Sequence, residues 1–190
     1  STLSAFAFAK LDVPFKKTLF MCLLSTMMIP FVVLLVPQYI IYSKIKWIDT
    51  LFPLIVPGTL GNVSMIFFLR QYMMGLPNDI LDAGKIDGCS FFGIYGKVFL
   101  PLCKPAIAAN VILMFMSIWN DYLTPLVFIN SPEKMTVQVM IAMLNSYYAE
   151  QTDFPVIMAA SVISVMPILI VFITCQKHFI ESFAMTGVKG

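Results

Sequence analysis

Residues 79–105, DILDAGKIDGCSFFGIYGKVFLPLCKP, decide how the rest of the chain is read. Long apolar runs flank them, yet charge recurs inside them at Asp79, Asp82, Lys85, Asp87, Lys97 and Lys104. In hydrocarbon each such charge costs roughly 2.5–3.5 kcal/mol on insertion scales, so the stretch belongs outside the bilayer core. Apolar residues nonetheless recur at helical spacing: Ile80, Leu81, Ala83 and Ile86, then Phe91, Phe92, Ile94, Tyr95, Val98 and Phe99. Asp87-Gly88 between the two groups is a turn dipeptide, and Gly88 accepts a positive φ without steric cost. The pattern predicts helix, sharp turn, helix, closed at Leu100-Pro101. Such an amphipathic elbow needs a partner protein to cover its apolar face.

Composition sets the frame. The chain is 59% hydrophobic and 12% charged, with mean hydropathy +0.89, whereas soluble domains carry about a quarter charged residues. This places the chain in a bilayer. A net charge of +2 gives no reason to expect a nucleic-acid partner. Cys22, Cys89, Cys103 and Cys175 stand singly, with no CxxC pair and no nearby His, so free thiols and no metal site are expected.

Working outward, the apolar runs predict spans at about 18–43, 50–69, 105–129 and 154–176, and 1–9 reads as the tail of a helix. Pro30 and Pro37, seven apart, are expected on one face of a kinked helix. Gly58, Gly61 and Ser64 offer small residues for close helix contact. Residues 131–153 read as a polar loop, and 177–190 as a polar tail. If spans alternate sides, Lys10, Lys16, Lys17, Arg70, Lys85, Lys97, Lys104, Lys177 and Lys189 share one side. Only Lys44, Lys46 and Lys134 face the other. The positive-inside rule then puts the elbow and the C-terminus in the cytoplasm.

Several motifs now coincide. Asp82-Ala83-Gly84, then Gly88, then Val98-Phe99-Leu100-Pro101 resembles the EAA loop of ABC importer permeases, with its Glu-Ala-Ala, later Gly and Ile-x-Leu-Pro. Arg70-Gln71 with Leu76-Pro77, Trp119-Asn120-Asp121, Met158-Ala159-Ala160-Ser161 with Pro167, and Gln176 with Gly187-Val188-Lys189-Gly190 resemble the carbohydrate branch. More narrowly, they resemble the smaller, G-type permease of maltose-like importers. Ala5-Phe6-Ala7-Phe8-Ala9-Lys10 resembles that family's Ala-Tyr-Ala-Phe-Ala-Arg near the cytoplasmic end of an early span. The likeness runs along all 190 residues and resembles the C-terminal part of such a permease, so an N-terminal portion of the family pattern is expected to be absent. Two departures stand out: Asp82 replaces Glu, and Gly84 replaces the second Ala.

The resemblance implies an all-α polytopic membrane protein with a partial type I ABC importer transmembrane fold, and an EAA coupling loop at 79–104. It implies a transport subunit rather than an enzyme, forming half of a sugar pathway in a bacterial cell membrane. The implied partners are two cytosolic ATPase subunits, a second related permease and an extracytoplasmic solute-binding protein. The chain itself would bind no cofactor, ATP and Mg belonging to the ATPases. Asp82, Ala83, Gly84, Asp87, Gly88, Leu100 and Pro101 would form the docking element.

Asp121 is the one acidic group inside a predicted span, and such a group marks a function or a buried cavity by default. Asn120 and Asp121 could hydrogen-bond sugar hydroxyls while Trp119 stacks on a sugar face. Alternatively, Trp119 sits in the aromatic belt and Asp121 pairs with another subunit. An importer for another solute, such as an amino acid or phosphate, is the runner-up. A secondary transporter would show ionisable groups in several spans and an internal repeat, and neither is present in the sequence.

Overall fold

The computed structural model describes residues 1–147 and 154–187, and among these the regular elements are all helical. In order they are α1 (Thr2–Lys10), α2 (Lys16–Ser25), α3 (Phe31–Lys44), α4 (Phe52–Thr59), α5 (Val63–Met74) and α6 (Asp79–Ile86). There follow α7 (Phe91–Ile94), α8 (Leu100–Leu102), α9 (Lys104–Trp119), α10 (Leu123–Phe128), α11 (Val137–Tyr147) and α12 (Phe154–Gly187). Residues 52–74 and 154–176 are long and apolar enough to cross a membrane. The pairs 16–28 with 31–44, and 91–102 with 104–119, qualify if each bent pair counts as one span.

The outer surface has the polarity that lipid demands. Val36 on α3 and Ile163 on α12 are each 68% exposed, and both helices leave further large aliphatic side chains uncovered. Buried polar side chains, by contrast, are few: Lys10, Asn110 and Ser164 among the described residues.

Several sequence expectations need correction. The run 18–43 is not one helix: a 3-10 turn at Thr26–Met28 ends the first part, and Pro30 caps α3 from outside. Proline has no amide hydrogen and its ring obstructs the preceding turn, so the break falls at the residue before it. Of these two only Pro37 is inside a helix, so Pro30 and Pro37 do not share a helical face. The run 50–69 breaks at Gly61, whose φ of +126° only glycine adopts readily, and then continues through Arg70 to Met74. A Cβ on Gly58 would meet nothing within 4 Å, so this glycine makes no close helix contact among the described residues. The predicted loop 131–153 contains α11, and the predicted tail is helical as far as Gly187. The last motif residues, 188–190, lie outside the described residues.

The chain divides into two compact units. The first comprises Ser1–Ile29, Gly61–Val111 and the chain from Cys175. In it α1 packs along α5, and Phe6 anchors the junction, its ring 4.9 Å from Phe99 and 5.5 Å from Tyr95. Lys10 is buried with its ammonium donating to Leu76 O and Asn78 Oδ1, both at 2.7 Å. Arg70 donates to Phe8 O at 3.3 Å and lies 4.1 Å above the Phe20 ring. Both cations therefore tie α1 to the segment leading into α6, which fixes the base of the elbow.

The second unit comprises Pro30–Leu60 and Ile112–Thr174. Its loops are held by Asp49, which adopts the left-handed conformation (φ 60°) that short polar side chains tolerate. Its carboxylate accepts from the Ser131 amide at 2.7 Å, the Ser131 hydroxyl at 2.6 Å, the Asn130 amide at 3.0 Å and Lys134 Nζ at 3.0 Å. These donors, the Ser131 hydroxyl foremost, hold the Asp49 carboxyl well below the usual carboxylate range.

Candidate functional site

The elbow is encoded locally at each step. Asp79 and Asp82 sit in the first turn of α6 and Lys85 in the last, each complementing the helix dipole. The helix ends in a Schellman stop: Cys89 N–H donates to Gly84 O and Gly88 N–H to Lys85 O, both at 3.0 Å. Gly88 supplies the left-handed residue this motif requires, with φ +73°. Two residues later Ser90 caps α7, its hydroxyl accepting from Gly93 N–H at 3.2 Å. A π-helical segment, Tyr95–Phe99, carries the chain into α8. Pro101 falls within the first turn of α8 rather than closing the helix, and Cys103 leaves helical geometry instead (ψ 1°). Proline is tolerated there because first-turn amides lack intrahelical partners.

The apolar residues of the elbow divide into two sets. Leu81, Ile94 and Phe99 point inward and join Leu69, Tyr72 and Met73 in the core of the first unit. Ile86, Phe91 and Phe92 point outward, at 85%, 54% and 74% exposure. They surround the Asp87-Gly88 apex, where Cys89 is also exposed. A stretch with this much charge does not suit the hydrocarbon core, so the outward set is an exposed apolar patch on a charged segment.

Of the seven sequence candidates for docking, Asp82, Ala83, Asp87, Gly88 and Pro101 are exposed, Leu100 is half-buried and Gly84 is buried. Asp82 pairs with Lys85 at 3.1 Å, an exposed pair of the kind worth little, so its carboxylate is readily shared. Gly84 has a different role from its neighbours. A Cβ there would come within 2.8 Å of Ile94 Cγ1, and Ile94 is fully buried. Gly84 is the point where α6 and α7 touch, which accounts for the missing second Ala.

In the second unit, Trp119, Asn120 and Asp121 fall at the break between α9 and α10. Asp121 is not mid-helix; it precedes Tyr122, the N-cap of α10, and its Oδ1 accepts from Thr124 N–H in the first turn at 3.1 Å. The Trp119 indole donates to Ser164 O at 2.9 Å and stacks on Phe115, with centroids 5.7 Å apart. Asn120 donates to Met116 O at 2.8 Å and accepts from Gln138 Nε2 at 3.4 Å. Gln138, not singled out from the sequence, also donates to Ser164 Oγ at 3.0 Å. The signal available for it was a single polar residue in an otherwise apolar run, VQVMIAML.

The chain matches the family described as "Binding-protein-dependent transport system inner membrane component" over residues 1–184. It is 36% identical to the "Arabinooligosaccharides transport system permease protein AraQ" of Halalkalibacterium halodurans, across all of this chain and 67% of that one. It is 34% identical to the protein of the same name from Bacillus subtilis, across all of this chain and 66% of that one. The chain thus spans about two thirds of the length of these relatives. A solved structure described as "a bacterial ABC transporter involved in the import of the acidic polysaccharide alginate" superposes with TM-score 0.78. It is 24% identical and covers 94% of this chain and 67% of that chain, which shows that the two share a fold. The elbow, the apolar helices and the family match together lead to one conclusion: the chain belongs to the binding-protein-dependent transport system inner membrane components.

Proposed function

We propose that this chain is a sugar-importer permease subunit that couples to cytosolic ATPases through residues 79–104. The observation that carries the reading is the outward set Ile86, Phe91 and Phe92 at the apex of a charged elbow. Those side chains fill a cleft on an ATPase subunit, and Asp82 and Asp87 meet cationic or amide groups on its rim. The elbow rides on α1 and α5 through Phe6, Lys10 and the core around Phe99. Closure of two ATP-bound subunits therefore moves it as a rigid body and alternates access to a central cavity.

ATP and Mg belong to those ATPases, which supply the chemical free energy; this chain supplies the lever. A second, related permease completes the pathway, and an extracytoplasmic solute-binding protein delivers the sugar. The elbow and the C-terminus face the cytoplasm of a bacterial cell, in line with the positive-inside count. Carbohydrate is the favoured cargo because relatives carry names for arabinooligosaccharide, lactose and sulfoquinovosyl glycerol transport. Trp119, Asn120 and Asp121 serve the pathway as a frame, since their polar atoms are engaged with α9, α10, Gln138 and Ser164.

The test is affinity purification of the complex in mild detergent, with Phe92→Glu alongside. Phe92 is mostly exposed, so the charge disturbs docking and not folding. The ATPase should come down with the parent and be reduced at least tenfold with the variant. Equal recovery with both would refute docking at this face.

A further inference from the structure

The geometry points to a carbohydrate subsite on this chain, in the cleft bounded by Tyr122, α11 and α12. This deepens the sugar-import reading and rests on it. The cleft has a volume of about 400 Å³ and is lined by Tyr122, Gln138, Ile141, Ala142, Ile157 and Ser161. That is within the range of small-molecule sites, which run from roughly 300 to 1,000 Å³.

Its chemistry selects the ligand class. None of the lining side chains among the described residues is charged, so none of them compensates an amino acid, a phosphate or a metal ion. The polar groups it does hold have their orientation set. Gln138 commits its amide nitrogen to Asn120 Oδ1 and Ser164 Oγ, while its carbonyl oxygen makes no hydrogen bond among the described residues. Ser161 donates its hydroxyl proton to Ile157 O at 2.8 Å, which leaves its oxygen as an acceptor. Tyr122 adds an exposed aromatic ring and a hydroxyl, and Ile141, Ala142 and Ile157 add apolar wall.

Fixed acceptors beside an aromatic plane complement a neutral sugar, which offers hydroxyl donors at its rim and C–H groups on its faces. Trp119-Asn120 is then a positioning element. Asn120 orients the Gln138 amide directly, and the Trp119 indole holds the Ser164 carbonyl on the helix that carries the second acceptor of that amide.

The test uses the complete importer, with its partner subunits and binding protein, in proteoliposomes, with arabinotriose as the probe. Gln138→Leu should raise the apparent KM for arabinotriose at least tenfold. Ala142→Phe fills the cleft without touching the Gln138 hydrogen bonds, and should lower uptake at least tenfold with the complex still assembled. It decides alone if Gln138→Leu does not assemble. Uptake by the wild type together with unchanged kinetics in the assembled variants overturns the subsite and leaves the importer reading standing. A wild-type complex that hydrolyses ATP yet takes up no sugar overturns the sugar reading and the subsite together.

Discussion

At the scale of single residues, two positions stand out. Gly84 lies 2.8 Å, measured from an ideal Cβ, from the buried Ile94 Cγ1. Overpacking of this kind costs about 1–3 kcal/mol, against a gain of about 1 kcal/mol in helix propensity for Ala over Gly. Gly84→Ala should therefore lower the thermal midpoint of the purified complex, but be neutral or stabilising in an Ile94→Ala background, where the obstruction is gone. A loss of the same size in both backgrounds would disprove the contact. Asp49 is the second. Its folded-state pKa is depressed, so its contribution is present above the unfolded value near 3.9 and is lost as pH falls through the folded value. Corrected for its intrinsic pH dependence, hydrogen exchange in residues 129–134 should stay slow from pH 7 down to about 4 and quicken below. Asp49→Asn, which keeps the left-handed preference but not the charge, should quicken it at pH 7 by about tenfold. The departure at Gly84 was visible in the sequence; its reason was not, because Ile94 comes from a different helix. Asp49 gave no signal, since Ser131 and Lys134 are some eighty positions away.

At the scale of elements, the elbow was legible because its punctuation is local. Asp87-Gly88 and Ser90 fix where one helix stops and the next begins, within a window of four residues. What could not be read was which apolar side chains face inward, since that depends on α1 and α5 packing from elsewhere in the chain. The long runs misled for a related reason. Hydropathy reports depth and not continuity, so the breaks at Pro30 and Asn120 were absorbed into single runs and α11 was hidden under a loop, whereas the break at Gly61 leaves 52–74 a single candidate span. Packing at Phe99 can be checked directly. It is fully buried against Phe6, and Phe99→Ala should cost about 3–5 kcal/mol and uncouple the elbow from α1. The expected signature is a complex that still binds sugar but whose ATP hydrolysis no longer responds to the loaded binding protein. Normal coupling in that variant would remove α1 from the lever.

At the scale of the whole molecule, the proposed division of labour gives the pathway wall to the apolar helices and the delivery of motion from outside it to the elbow. Cys89 gives direct access to that claim, being exposed at the apex, whereas Cys103 is buried. The measurement is photocrosslinking from Cys89, with Cys22 and Cys175 replaced by Ser, in membranes holding the complete importer. The account predicts a single adduct joining this chain to the ATPase subunit, lost with Phe92→Glu. Labelling of Cys89 without any adduct to the ATPase, in a complex that hydrolyses ATP, would contradict it.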